Sequence, residues 1–250
     1  PAVDGAGLAA LPGLIDLHGD MLEREVEPRP GAHFPLDMAV YELDKRLAAA
    51  GVTTAYAALS FWDHDNRDTV RGQELVRRLV GEIHRLRDGL LTDLRVHARF
   101  EVATPQVLPG LVELMGKGQI ELLSLMDHTP GQGQYRDIEH YVGFISKWRR
   151  VGREHVEEEL RERLARAGSV EERWALARDV ADIAREQGMP IASHDDDTAA
   201  KVDLVASLGA TIAEFPVTLE AAAEARARGL RVVMGAPNAL RGSSHSGNLS

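Results

Sequence analysis

The chain has 250 residues, 44% of them hydrophobic, which suffices for one large core and argues against disorder. Its formal charge of −10 excludes a general affinity for nucleic acid or for an anionic membrane surface. With no cysteine, disulfides and thiolate metal sites are excluded as well, so any metal must be held by His, Asp or Glu.

The elements alternate along the chain. Residues 13–18 read as a buried strand leaving a Pro-Gly turn, and 37–50 as a helix closed by Gly51. A second strand spans 52–59. A long amphipathic helix follows over 66–87, with Val70, Leu75, Leu79 and Ile83 at helical spacing. The third strand is 94–102, after which Thr104 and Pro105 open a short helix as N-cap and N1. The fourth strand is 120–126. Residues 136–188 hold several charged helices, and the Glu/Arg-dense part at 149–173 reads as a solvated helix pair. Strands at 190–194, 210–215 and 231–235 alternate with helices at 197–208 and 219–228.

These strands are continuous apolar runs, each followed by a helix or a long loop. That is the pattern of parallel β/α units covered by helices on the outside. The fold class is therefore α/β, a (β/α)8 TIM-type barrel, with an open doubly wound sheet as the competing arrangement. Seven strands are found where a closed barrel has about eight. An incomplete barrel is expected, forming a single metal-dependent hydrolase domain over 1–250 that is itself partial. No apolar run approaches the roughly 20 residues of a membrane span and no leader peptide is visible. A cytoplasmic protein without membrane or nucleic-acid partners is expected, and assembly into a homo-oligomer is left open.

Chemistry in such barrels sits where strands end. His18 and Asp20 follow the first strand, and in an extended segment positions i and i+2 point the same way, so both can face one ion. The third strand ends with His97, Arg99 and Glu101 on one face. Glu101 is a candidate ligand and Arg99 a candidate binder of a substrate anion, with a mutual Arg99–Glu101 ion pair as the alternative. Asp127 and His128 end the fourth strand. His194, Asp195, Asp196 and Asp197 end the fifth, where Asp195 is expected to face the site and Asp197 to cap the next helix. The sixth strand ends at Glu214. The 235–248 segment is rich in Gly, Ser and Asn, and its Arg241, Ser243, Ser244 and His245 suit phosphate oxygens, unless it is merely a flexible loop. Arg24 and Arg29 lie just past the first motif and either serve the substrate or pair with neighbouring glutamates.

Together these motifs resemble one branch of the amidohydrolase superfamily. LPGLIDLH at 11–18 is similar to the first-strand signature of that superfamily, with H-x-D where most members have H-x-H. DLHGDMLER at 16–24, EPRPG at 27–31, SLMDHTPGQ at 124–132, ASHDD at 192–196, AEFP at 213–216, MGAPN at 234–238 and RGSSHSGN at 241–248 are similar to the alpha-D-ribose 1-methylphosphonate 5-triphosphate diphosphatase family of the carbon–phosphorus lyase pathway. The resemblance implies a hydrolase in phosphonate metabolism that removes pyrophosphate from a small phosphorylated sugar. It implies one or two divalent ions, zinc or manganese, with His18, Asp20, Glu101, His128 and His194 as matching ligands. It also implies a β-sandwich built from both chain ends and a strand-eight Asp as proton acceptor, neither of which this sequence contains.

Among the residues present, Asp195 is the nearest substitute for that Asp, with His245 beside it in the catalytic set. Arg24, Arg29, Arg99, Arg241, Ser243 and Ser244 would bind the substrate. Two other functions compete: a superfamily enzyme cleaving C–N bonds (a cyclic amidase or deaminase), and a barrel homologue without activity.

Overall fold

The computed structural model describes residues 4–29, 31–62, 72–244 and 247–249. Seven strands, β1 (Leu14–Gly19), β2 (Val52–Phe61), β3 (Asp93–Glu101), β4 (Leu122–Met126), β5 (Ile191–His194), β6 (Ile212–Glu214) and β7 (Arg231–Val233), form one parallel sheet in chain order. A doubly wound sheet reverses its strand order part-way. This order never reverses, so the sheet is the curved wall of a partial TIM-like barrel. Among the described residues β1 pairs only with β2, and its Leu14 and Ile15 stay 60% and 66% exposed.

Parallel neighbours need long crossovers, and helices supply them here. They are α1 (Met21–Val26), α2 (Leu36–Ala49), α3 (Gln73–Leu86), α4 (Leu108–Gly116), α5 (Ile138–Arg149), α6 (Arg153–Arg166), α7 (Val170–Glu186), α8 (Ala199–Ser207), α9 (Leu219–Ala227) and α10 (Ala236–Arg241). No helix among the described residues is long and apolar enough to cross a membrane. The first part of the helix expected over 66–87 lies outside the described residues. Two short helices were not foreseen. The 235–248 stretch is helical at α10, where Pro237 sits in the first turn and Gly242 closes it at φ 64°. Likewise α1 begins at once after Asp20, whose φ of −84° and ψ of 8° break the extended geometry expected for the His18–Asp20 pair.

Side chains alternate across each strand, and that alternation sorts the chemistry. On one face Ala55, Ala57, Leu59 and Phe61 of β2, Leu94, Val96, Ala98 and Phe100 of β3, and Leu123 and Leu125 of β4 join the main core. Leu79, Ile83, Leu111 and Val180 of the helices belong to the same core. The alternate positions carry His97, Arg99 and Glu101 on β3, Ser124 on β4, His194 on β5 and Glu214 on β6. Register pairs His194 with Glu214 and Arg99 with Ser124, so these polar groups meet in layers.

The β4-to-β5 crossover is the long one. Here α7 packs on the barrel, while α5 and α6 form a hairpin with a small core of their own, Val142, Val156 and Leu160.

Candidate metal centre

Local backbone devices aim the site residues. In β1, Asp16 pairs with Ala55 but Gly19 pairs with Ala57, so the chain between them carries an extra residue. Such a bulge re-aims side chains. Here it holds His18, whose N–H donates to Asp16 Oδ1 at 3.0 Å.

The ends of β5 and β6 share a turn. In each, a ligand-type residue (His194, Glu214) is followed by a non-glycine residue at φ 54° (Asp195, Phe215). Three positions further on, a threonine caps the next helix: Thr198 accepts from Lys201 N, and Thr218 from Ala221 N. The cap of α8 is thus Thr198 rather than Asp197. The Asp197 carboxylate accepts instead from Gly133 N at 2.8 Å, and its carbonyl from Thr218 Oγ1 at 3.0 Å. A left-handed residue without glycine costs on the order of 1–2 kcal/mol, and such strain clusters at functional sites.

Two groups of potential ligand atoms result. His18, His194 and Glu214 form one and His128, His194 and Asp195 the other, with ligand atoms within 4.8 Å of one another in each. His194 Nδ1 and His128 Nε2 lie 3.1 and 3.5 Å from Asp195 Oδ2, yet among the described residues none of these three atoms makes a hydrogen bond. His194 Nε2 and Glu214 Oε1 are likewise buried without a partner. Leaving so many buried polar atoms unsatisfied in one place is costly unless a further group completes them. The donor set, imidazole nitrogen and carboxylate oxygen, suits a divalent cation such as zinc or manganese.

The imidazoles are oriented for that task. His18 Nδ1 donates to Glu214 Oε2 at 3.2 Å, and His128 Nδ1 donates to Glu101 Oε2 at 2.8 Å. In a neutral ring that bond places the hydrogen on Nδ1 and leaves Nε2 with its lone pair, the usual arrangement behind metal-binding histidines. Glu101 also accepts from His128 N, at 3.0 Å to Oε1. Both of its oxygens therefore serve His128, and it belongs to neither group of ligand atoms.

Behind Glu214 stands a polar chain. Ser124 Oγ donates to Glu214 Oε2 at 2.6 Å and lies 2.7 Å from His97 Nε2, while His97 Nδ1 donates to the Leu17 carbonyl at 2.9 Å.

The charges follow from this packing. Burial favours the neutral acid of Glu214, but His97, His18 and His194 outweigh it and hold the carboxyl at about 2. Burial likewise opposes ionisation of Asp195, and His194 and His128 hold it far below the usual range. Burial pushes His97 down to about 4 and lowers His194. For His128 burial is outweighed by Glu101 and Asp195, which raise it to about 9.

The remaining sequence candidates are placed differently. Asp20 is 53% exposed, 3.9 Å from His18 Nε2, and accepts from Arg99 Nη1 at 2.9 Å. Arg99 thus reaches the rim and does not pair with Glu101. Its Nε is buried without a partner. Arg24, Arg29, Arg241 and Ser243 are exposed, and among the described residues no hydrogen bond or ion pair links them to the imidazoles. Glu25 pairs with Arg46, and Glu27 accepts from Gly31 N. Arg241 donates to Asn238 Oδ1, and Ser244 contacts Asn248 at 3.4 Å. His245 lies outside the described residues.

Comparison with known proteins places this geometry in context. Over 252 aligned residues the chain is 36% identical to the alpha-D-ribose 1-methylphosphonate 5-triphosphate diphosphatase of Escherichia coli (strain K12). The chain is a homologue of that enzyme. The match covers 100% of this chain and 65% of the relative, so the chain spans just under two thirds of its homologue's length. The adenine deaminase of Arthrobacter aurescens superposes with a TM-score of 0.52 at 11% identity, covering 89% of this chain and 71% of the deaminase, which supports the fold alone. No family model matches the chain.

Glu214, already marked by its place at the end of the sixth strand, joins the group of ligand atoms, and beyond the residues foreseen the structure brings in Ser124, Asn248, Trp62 and Arg163. Asn248 Nδ2 donates to Asp195 Oδ1 at 2.5 Å and to the Phe215 carbonyl at 2.9 Å. Trp62 stacks on His128 with ring centres 6.1 Å apart. Glu214 was readable from its register-equivalent place: HDDDT at 194–198 and EFPVT at 214–218 are one turn written twice.

Proposed function

We propose that this chain carries the metal centre of a hydrolase of the amidohydrolase type, which releases pyrophosphate from alpha-D-ribose 1-methylphosphonate 5-triphosphate. The observation that carries the reading is the set of buried, unbonded atoms at His128, His194, Asp195 and Glu214. Identity with the diphosphatase along the whole of this chain supports the choice of substrate.

His18, His128, His194 and Glu214 would hold the ion, with Asp195 beside it as proton acceptor. Both groups draw on His194. Serving two ions at once would need its ring to be stripped of both hydrogens and shared, so a single ion is the simpler occupant. When bound, a divalent ion supplies positive charge that polarises a phosphoryl oxygen and acidifies water to a pKa near ~7.

The chain's own residues do the rest. Asp195 is ionised, is steadied through Oδ1 by Asn248, and keeps Oδ2 free to accept a proton from the attacking water. Water oxygen bonds to phosphorus as the bridging P–O bond between the α- and β-phosphates breaks, and pyrophosphate leaves. Arg99 offsets charge developing at the rim. Arg24, Arg29, Arg241, Ser243, Ser244 and His245 remain candidates for the more distant phosphates and the sugar.

The test is pyrophosphate release by the protein and by His194→Ala, run beside a panel of cyclic amides and amino bases. The reading expects triphosphate turnover that falls at least ~1000-fold in the variant. Turnover of an amide in preference to the triphosphate would replace it with the C–N reading.

A further inference from the structure

Arg163 differs from three arginines around it on the α5–α6 hairpin. Arg149, Arg153 and Arg161 are each paired with a glutamate, Glu159, Glu139 and Glu158 respectively. Arg163 makes no ion pair among the described residues. Its Nη2 donates to the His128 carbonyl at 2.9 Å, and its Nη1 lies 3.4 Å from the Tyr141 hydroxyl. The guanidinium sits over the Trp62 ring at 4.9 Å. None of these partners carries a charge. A half-buried guanidinium held this way has given up hydration without gaining a counter-charge, although the chain as a whole stands at −10.

Its position is equally telling. Trp62 packs against both Arg163 and the imidazole of His128, whose Nε2 lies 3.5 Å from Asp195 Oδ2. Tyr135 packs near both His128 and Tyr141, with ring centres 6.1 and 5.0 Å apart. So the hairpin delivers one uncompensated cation to the rim of the metal centre. A planar fork of N–H groups is the side chain best matched to phosphate oxygens.

We propose that Arg163 is a substrate-binding residue, receiving the phosphoryl oxygens that the leaving pyrophosphate carries away. The inference rests on the phosphate-hydrolase reading above. It assigns to the α5–α6 hairpin the task of recognising the anionic end of the substrate, while the barrel holds the ion.

The experiment titrates inorganic pyrophosphate calorimetrically into the metal-loaded full chain, using wild type, Arg163→Gln, Arg163→Lys and Arg161→Gln. Metal content and melting temperature are measured on the same samples. Arg163→Gln is expected to weaken pyrophosphate roughly ten- to hundredfold. Arg163→Lys, a point charge without the fork, should recover part of that loss. Arg161→Gln should stay within about twofold. In turnover, Arg163→Gln should raise KM more than it lowers kcat.

Equal pyrophosphate affinity in Arg163→Gln and wild type overturns the proposal. So does an equal loss in Arg161→Gln, which would mean diffuse charge alone, or a loss of metal in step with pyrophosphate, which would mean a structural clamp. Arg163-dependent binding without triphosphate hydrolysis would sink the proposed reaction and leave this inference standing. Hydrolysis with unchanged KM and pyrophosphate affinity in Arg163→Gln would do the reverse.

Discussion

Replacing Ser124 with alanine removes one oxygen atom from the inner layer of the barrel and tests how the centre is braced. That oxygen lies 2.6 Å from Glu214 Oε2 and 2.7 Å from His97 Nε2, and all three side chains are buried. Neither partner can turn to water. Among the described residues Glu214 then keeps His18 Nδ1, at 3.2 Å, and His97 keeps the Leu17 carbonyl, at 2.9 Å. A buried polar atom left without a partner costs about 1–3 kcal/mol. With two atoms affected and a methyl group filling most of the space, a net loss of about 2 kcal/mol is expected. For a chain of this size that lowers Tm by roughly 4–8 °C.

The larger effect falls on the ion. Glu214 and, through it, His18 lose the contact that fixes their direction, and losses behind metal ligands typically weaken affinity 10–100-fold. Zinc affinity by chelator competition, beside calorimetric melting, reads both numbers. A Ser124→Ala protein that binds zinc within twofold of wild type would refute the bracing argument, even with a lowered Tm.

Other perturbations bear on the frame. Thr218→Ala should destabilise the protein by about 1–2 kcal/mol, and more than Thr198→Ala. Thr218 both caps α9 and donates to the Asp197 carbonyl, whereas among the described residues the Thr198 side chain makes its cap alone. Urea unfolding of the two variants ranks them. Glu159 is held below the usual range by its hydrogen bond to Arg149, with burial opposing and His155 assisting. Because its folded pKa is depressed, the coupling is present above the unfolded value of about 4.3 and fades as pH falls through the folded one. Both partners are largely exposed, so a double-mutant cycle at pH 7 should give less than about 1 kcal/mol and, in acid, almost nothing.

The strands were legible because each is a short apolar run that a covered parallel sheet requires. What escaped depends on contacts between distant segments. His18 and Asp20 read as an i, i+2 pair on an extended backbone, whereas α1 starts at Met21 and the two side chains come within 3.9 Å across a turn. Asp197 is as good a cap as Thr198 by residue type, and only the carbonyl and carboxylate contacts to Thr218 and Gly133 decide between them. Glu101 reads as a ligand from its place at a strand end. Its two oxygens meet His128, from a strand that arrives 27 residues later. Arg163 sits in a run of Glu and Arg that any composition rule reads as a solvated helix. Its distinction is a bond to a carbonyl 35 residues away.

The most direct measurement is the metal content of the purified full chain and of His194→Ala, taken with a melting curve for each. Close to one divalent ion per wild-type chain is expected, along with its loss from a variant that still unfolds cooperatively. A wild-type protein that holds no ion after loading, or a variant that retains it with undiminished affinity, would contradict a cation centre built on His194.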